Sequence, residues 1–136
     1  MVEGTPDSEL AYADDSWVAG TLEGLEIPGW IVLALRRHAV DAAPIGEEEA
    51  RRLGPAIRTI STAIVDSTDA ERIYLQAYGE KERHWHLLIS PRGPSVPAEH
   101  RHTALFGHRN EYLDPAESKA VLTRVREAIR AQPVGD

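Results

Sequence analysis

Two histidines, His84 and His86, stand two residues apart in a stretch that is rich in aromatic, branched and apolar residues and that ends at Pro91. This composition predicts a β-strand. Because strand side chains alternate between faces at about 3.3 Å per residue, the two imidazoles share one face and lie roughly 7 Å apart. A neutral imidazole can act as a nucleophile, a general base or a metal ligand. The opposite face is wholly apolar and is predicted to meet the core: Trp85, Leu87 and Ile89.

With residues 78–83 before it, this stretch resembles the histidine triad superfamily of nucleotide hydrolases and transferases. The signature of that superfamily is His-x-His-x-His and two further residues, often followed by Pro-Arg. Aligned without gaps, His84 takes the first triad position and His86 the second, and Pro91 and Arg92 match the final pair. The second histidine is the nucleophile of the superfamily, so the resemblance assigns that role to His86.

The sequence differs from the signature at the third triad position, where it has Leu88. One branch of the superfamily has glutamine there, so histidine is not obligatory, but a leucine side chain cannot form hydrogen bonds. Losing one such donor typically costs about 3–4 kcal/mol of transition-state stabilisation. A slow enzyme, an altered substrate or a binding protein are therefore all compatible with the sequence.

The resemblance implies attack by His86 on the α-phosphate of a nucleotide, which gives a covalent nucleotidyl-histidine that water or an acceptor then resolves. His84 is expected to hold the reactive tautomer of His86 and, with other cationic groups, to stabilise the phosphoryl oxygens. The expected catalytic residues are His86 and His84. The expected substrate-binding residues are His38, Arg92, Gln76 and Glu80. The prediction includes neither a metal ion nor a cofactor.

Three alternatives remain open. The protein could bind a nucleotide without turnover, or it could catalyse a different reaction on the same fold. It could also use His38, His84 and His86 to hold a metal ion. A second pair, His100 and His102, has the same spacing, but its neighbours are polar, so we predict an exposed loop there rather than a metal site.

The composition restricts the classes of partner. The 136 residues include 27% charged residues and carry a formal net charge of −7, which is typical of a globular domain and argues against nonspecific nucleic-acid binding. A local basic pocket for a small phosphorylated ligand is still compatible with this charge. The absence of cysteine excludes disulfides, zinc–thiolate sites and cysteine nucleophiles.

The chain shows no apolar run long enough to span a membrane and no basic segment followed by an apolar run at its start. We therefore expect a cytoplasmic protein without membrane contact. Residues 1–13 are polar and are predicted to form a loose arm, and residues 14–132 are predicted to form a single domain.

The hydrophobic pattern predicts strands, then a helix, then strands, then a helix, which is an α+β arrangement with helices packed on an antiparallel sheet. The short connection between the last two strands favours an antiparallel pair. Pro55 indicates that the first helix is either kinked there or begins there. The predicted strands are 16–22, 30–35, 72–78 and 84–90, and the predicted helices are 47–66 and one that begins after Asp114. The resemblance implies a histidine triad (HIT-like) meander sheet of about five strands with a central and a C-terminal helix, paired as a homodimer.

Overall fold

The computed structural model describes residues 6, 9–81 and 83–133. It contains five strands, three α-helices and two short 3-10 turns among these residues. The strands are β1 (Tyr12–Ala13), β2 (Trp17–Gly20), β3 (Ile31–Leu35), β4 (Arg72–Gln76) and β5 (His86–Arg92). The α-helices are α1 (Glu47–Ser67), α2 (Ala104–Gly107) and α3 (Pro115–Ala131). The 3-10 turns are Ala98–His100 and Arg109–Tyr112.

The five strands form one antiparallel sheet in the order β1-β2-β3-β5-β4. This confirms the predicted α+β class and the predicted antiparallel pairing of the last two strands. β5 therefore lies inside the sheet, between β3 and β4. Its register places His86 opposite Ala34 of β3 and Leu88 opposite Val32, so these four residues share one face.

The other face of the sheet packs against α1 and α3. The largest fully buried side chains of this layer include Trp17 and Leu33 from the sheet, Ile60 from α1 and Val125 from α3. Leu87 and Ile89 belong to the same cluster, and Trp85 packs against it. The face of β5 that the sequence predicted to meet the core is therefore confirmed.

Helix α1 runs from Glu47 to Ser67 with Pro55 inside it, so the helix does not begin at Pro55. Proline lacks the N–H that would bond the carbonyl of Arg51, but Arg51 is exposed, so water can satisfy that carbonyl. The first half of the helix is also held by Trp17, whose indole N–H donates to the carbonyl of Glu49 at 2.9 Å. No helix in the described part of the chain combines the length and the apolarity that crossing a bilayer requires.

The His86 face of the sheet carries a second apolar cluster, which is covered by residues 98–112. Leu105 of α2 is only 3% exposed, and the rings of Phe106 and Trp30 stack with their centroids 6.3 Å apart. His102 and its neighbours Glu99 and Thr103 are exposed, as predicted, but the sequence did not predict that Leu105 and Phe106 would pack against the sheet. The physical reason is that Val32 and Leu88 make this face apolar as well, so it needs a cover of its own. We call residues 98–112 the cover segment.

The structure also departs from the predicted loose arm. Leu10 and Ala11 are buried, and Tyr12–Ala13 pairs with β2. The guanidinium of Arg126 in α3 donates to the carbonyl of Leu10 at 3.1 Å, which attaches this segment to the helical layer. Residues 1–5, 7 and 8 of the predicted arm lie outside the described residues.

Candidate functional site

His84 lies just before β5, and its side chain is buried, with 3% exposed. Its Nε2 lies 2.8 Å from the carbonyl oxygen of Leu35, and its Nδ1 accepts from the backbone N–H of Ala39 at 3.3 Å. A carbonyl can only accept and a backbone N–H can only donate, so the ring is neutral and carries its hydrogen on Nε2. Both ring nitrogens are therefore used to join the end of β3 to the start of β5.

His86, the first residue of β5, is half-buried, and its Nδ1 lies 2.9 Å from the main-chain oxygen of His84. This oxygen can only accept, so Nδ1 carries a hydrogen, and in the neutral ring Nε2 keeps its lone pair. No residue in ranges 9–81 and 83–133 forms a hydrogen bond with that Nε2. His86 is thus held in the form that a nucleophile needs. The group of His84 that selects this tautomer is its main-chain carbonyl, rather than its imidazole as the sequence suggested.

His86 and Leu88 line a pocket of about 570 Å³ between the sheet, the connection that follows β4 and the cover segment. Gln76 and Glu80 also line it, so the structure brings these two predicted contacts together with His86. The remaining lining residues are Leu22, Leu25, Tyr78, Gly79, Lys81, Thr103, Phe106 and Gly107. The wall is therefore largely apolar, with a few polar groups that could orient a ligand.

His38 is exposed, and its ring stacks on that of His84 with centroids 5.1 Å apart and an interplanar angle of 22°. Neither His38 nor His84 is among the described residues that line the pocket. Together with His86 they do not form a group of clustered ligand atoms among the described residues, so the structure does not support the metal alternative that the sequence left open.

The preceding residue, Arg37, fixes the chain at this end of β3. Its guanidinium donates to the carboxylate of Glu49 at 2.8 Å and to the carbonyl of Pro44 at 2.8 Å. The hydrogen bond from Arg37 holds the pKa of Glu49 below its usual value. Arg37 therefore anchors the turn that carries His38 to the start of α1.

Arg92 does not lie near the histidines, and the expectation that it does was wrong. It shares a face of β5 with His86, but it is the last residue of that strand and His86 is the first, so about 20 Å separates them. Arg92 is buried, with its Nη1 2.5 Å from a carboxylate oxygen of Glu71. The Tyr74 hydroxyl and the Glu71 carboxylate raise the pKa of Arg92. Its role in the fold is an ion pair at the far end of the sheet.

Sequence reasoning missed the contributions of Lys81, Thr103 and Phe106 to the pocket. Lys81 has no motif around it and stands in an irregular connection between two strands. The other two residues come from the cover segment, whose short apolar run of Ala104, Leu105 and Phe106 was the available signal. That run is too short to show a helical period.

No protein-family model matches the sequence, and no curated protein matches it either. Solved structures do match the fold. A hypothetical histidine triad nucleotide-binding protein of Sulfolobus tokodaii strain 7 superposes with a TM-score of 0.71 at 16% identity, over 90% of this chain and 83% of that one. A histidine triad protein of Sinorhizobium meliloti 1021 gives 0.70 at 18% identity, over 88% and 87%. One of Bradyrhizobium japonicum gives 0.69 at 19% identity, over 88% and 89%. The chain therefore has the fold of the histidine triad proteins.

The geometry of His84 predicts a structural role for its ring. We expect His84→Ala to lower the free energy of unfolding by about 2–4 kcal/mol, because it leaves a buried cavity and an unsatisfied carbonyl and N–H. His38→Ala is the matched control, since it removes the stacked but exposed partner ring, and it should change stability by less than about 0.5 kcal/mol. Urea denaturation measures both. Equal losses in the two variants would contradict this assignment.

Proposed function

We propose that the protein is a HIT-like phosphohydrolase or nucleotidyltransferase that acts at the α-phosphate of a nucleotide, with His86 as its nucleophile. The observation that carries the proposal is the hydrogen bond from Nδ1 of His86 to the main-chain oxygen of His84, which in the neutral ring leaves the lone pair of Nε2 available on a residue that lines the pocket. The histidine triad fold supports the same reading.

In the proposed reaction, the lone pair of Nε2 attacks the α-phosphorus and forms a P–N bond while the bond from phosphorus to the leaving group breaks. The leaving group departs with the electron pair of that bond and takes a proton from solvent. Water or an acceptor hydroxyl then attacks the phosphorus, loses its proton and releases Nε2. Division into two displacements lowers the barrier of each, and His86 ends in its starting form.

The residues around His86 suit the parts of a nucleotide. Leu22, Leu25 and Phe106 provide an apolar and aromatic wall for a base. Lys81 supplies the positive charge that phosphoryl oxygens need, and it replaces Arg92 in that expected role.

The uncharged polar groups of Gln76 and Thr103 can form hydrogen bonds with sugar or phosphate oxygens. Glu80 suits hydroxyl donors such as those of a ribose, because a carboxylate accepts from hydroxyls and repels phosphate. We therefore propose that the nucleotide binds with its sugar near Glu80 and its phosphate near Lys81 and His86.

A second candidate is a nucleotide-binding module without turnover, and Leu88 is the observation that favours it. Leu88 is 4% exposed, belongs to the apolar cluster under the cover segment, and also lines the pocket beside His86. It offers no hydrogen bond to a phosphoryl oxygen or to a leaving group. The presence of Leu88 at the third triad position is also compatible with a different reaction on the same fold.

We further propose that the protein is a cytoplasmic homodimer that binds a small phosphorylated molecule rather than nucleic acid. β4 is an edge strand of the sheet, and an unpaired edge offers backbone groups to a second copy. Leu75 on this strand is 49% exposed, and Val65 near the end of α1 is 48% exposed. Burial of such side chains would stabilise a chain of this size.

We predict that His86→Ala abolishes turnover while nucleotide binding survives, because the imidazole acts in the chemical step rather than in ground-state binding. The kcat should fall on the order of a thousandfold or more, with little change in Kd. The measurement is hydrolysis of a panel of nucleotides, including dinucleoside polyphosphates and phosphoramidates. Intact-mass spectrometry should also detect a nucleotidyl adduct on the parent protein and none on the variant.

In the same assay, Lys81→Ala should weaken nucleotide binding, because it removes a positive charge from the pocket. The chain's other lysine, Lys119, is exposed on α3, so Lys119→Ala is its matched control and should bind as the parent does. An active His86→Ala protein would exclude the covalent mechanism. Thermal stabilisation by nucleotide without adduct or turnover would instead establish the binding module.

We predict that Leu88→His raises the rate of nucleotide turnover, because it places a third imidazole on the same strand face as His86. Circular dichroism and thermal melting must first show that the variant is folded, since the substitution introduces a polar group into an apolar cluster. Unchanged or lower activity in a folded variant would show that Leu88 belongs to an altered pocket whose substrate is not a standard nucleotide.

We predict a dimer mass by light scattering at micromolar concentration, and a shift to the monomer for Leu75→Glu, which places a charge on the exposed edge strand. Glu127 on α3 is already exposed and charged, so Glu127→Lys serves as a surface control that should keep the dimer. A monomer mass for the parent protein would refute the homodimer.

A further inference from the structure

Three metal-ligating side chains meet in the cover segment, and none of them is among the described residues that line the pocket. His100 ends the first 3-10 turn, His108 follows α2, and Glu111 lies in the second 3-10 turn. Each offers a ligand atom, and these atoms all lie within 4.8 Å of one another. Within the described ranges of the chain, no other group of three such residues is clustered in this way.

The hydrogen bonds of the cluster prepare its histidines for coordination. Nδ1 of His108 lies 2.6 Å from a carboxylate oxygen of Glu111, so an ion bound between these two atoms would replace the hydrogen bond that they share. Nδ1 of His100 lies 2.7 Å from the hydroxyl of Tyr112, which can accept from it, so Nε2 of the neutral ring is available as a ligand. An oxygen partner on the second ring nitrogen is the usual arrangement for a metal-bound histidine.

We propose that His100, His108 and Glu111 form a binding site for a divalent transition-metal ion of the Zn²⁺ type. Imidazole nitrogen and carboxylate oxygen are ordinary ligands of Zn²⁺, and a site with three protein ligands completes its tetrahedron with water. Ligands at about 2.1 Å from Zn²⁺ lie about 3.4 Å apart in a tetrahedron, so these groups need to move by about 1 Å to converge.

The stacking of the two rings is the arrangement that the ion would change. The ring centroids of His100 and His108 are 3.8 Å apart, with an interplanar angle of 13°. The in-plane lone pairs of stacked rings run nearly parallel, so coordination requires the rings to tilt toward one point. The side chains of His108 and Glu111 are 42% and 59% exposed, which leaves room for this movement and gives the ion access from solvent.

A bound ion would link the two ends of the cover segment to each other. The cluster joins the 3-10 turn that precedes α2 to the one that follows it, and α2 carries Phe106, which lines the pocket. Holding both ends of this segment would restrict the aromatic wall of the pocket. The ion therefore has a structural role here, and the proposal does not depend on turnover by His86.

The histidine spacing that is visible in the sequence is not the one that forms the cluster. His102 has a positive φ of 63°, and its backbone N–H donates to the Tyr74 hydroxyl at 3.1 Å. It does not belong to the cluster in the described structure, although it follows His100 by two residues. This makes His102→Asn a matched control, because asparagine tolerates a positive φ better than most residues do.

The test uses chelator-treated protein titrated with Zn²⁺ alone, without nucleotide, and followed by calorimetry and by thermal melting. We expect one equivalent of Zn²⁺ to bind and to raise the Tm of the parent and of His102→Asn. His108→Ala and Glu111→Gln should weaken binding by about tenfold or more, since even partners of ligands typically contribute 10–100-fold to affinity. Co²⁺ bound to the parent should give the intense visible absorption of tetrahedral coordination, and His108→Ala should lose it.

Two outcomes would overturn the proposal. One is the absence of Zn²⁺ binding by the parent protein. The other is equal binding by the parent, His108→Ala and Glu111→Gln, which would place the ion elsewhere. The melting temperatures of all variants in chelator show whether each is folded, and Glu111→Gln preserves the test if His108→Ala is not. Nucleotide hydrolysis is measured separately, so failure here leaves the assignment of His86 unaffected.

Discussion

The buried imidazole of His84 bonds to the main chain of Leu35 and Ala39, and these two bonds set the position at which β5 begins beside β3. The orientation of the His86 ring depends on that position, because the carbonyl of His84 accepts the hydrogen bond from His86. The reactive form of the candidate nucleophile is thus a consequence of how two strand ends are joined. The side chain of His84, which is not among the described residues that line the pocket, therefore helps to position the carbonyl that orients His86.

The sheet buries both of its faces, and β5 supplies residues to each. Leu87 and Ile89 belong to the core under α1 and α3, while Leu88 belongs to the smaller cluster under the cover segment. Leu88 therefore has two functions, since it also lines the pocket beside His86. A histidine at that position would gain a hydrogen-bonding group for chemistry but would lose apolar burial beneath the cover.

The alternation of residues along β5 was readable from the sequence because a period of two needs no knowledge of tertiary contacts. Arg92 was expected near His86 because Pro91 and Arg92 match the end of the signature, and that match says nothing about distance along the strand. The structure of the cover segment could not be predicted from the sequence, for a different reason. Its helix is four residues long, and its burial depends on an apolar patch formed by residues distant in sequence, such as Trp30 and Leu88. The buried state of His84 likewise depends on Leu35, which is 49 positions away.

The cover segment and the strand that carries His86 are separate stretches of chain, and this separation has a consequence for divergence. An insertion of one residue within β5 would exchange its two faces and turn His86 toward the helices, so the length of that strand is constrained. Residues 98–112 are not part of the sheet, so an insertion there does not change a strand register. Thr103 and Phe106, which line the pocket, can therefore be changed without altering the register of the strand that carries His86.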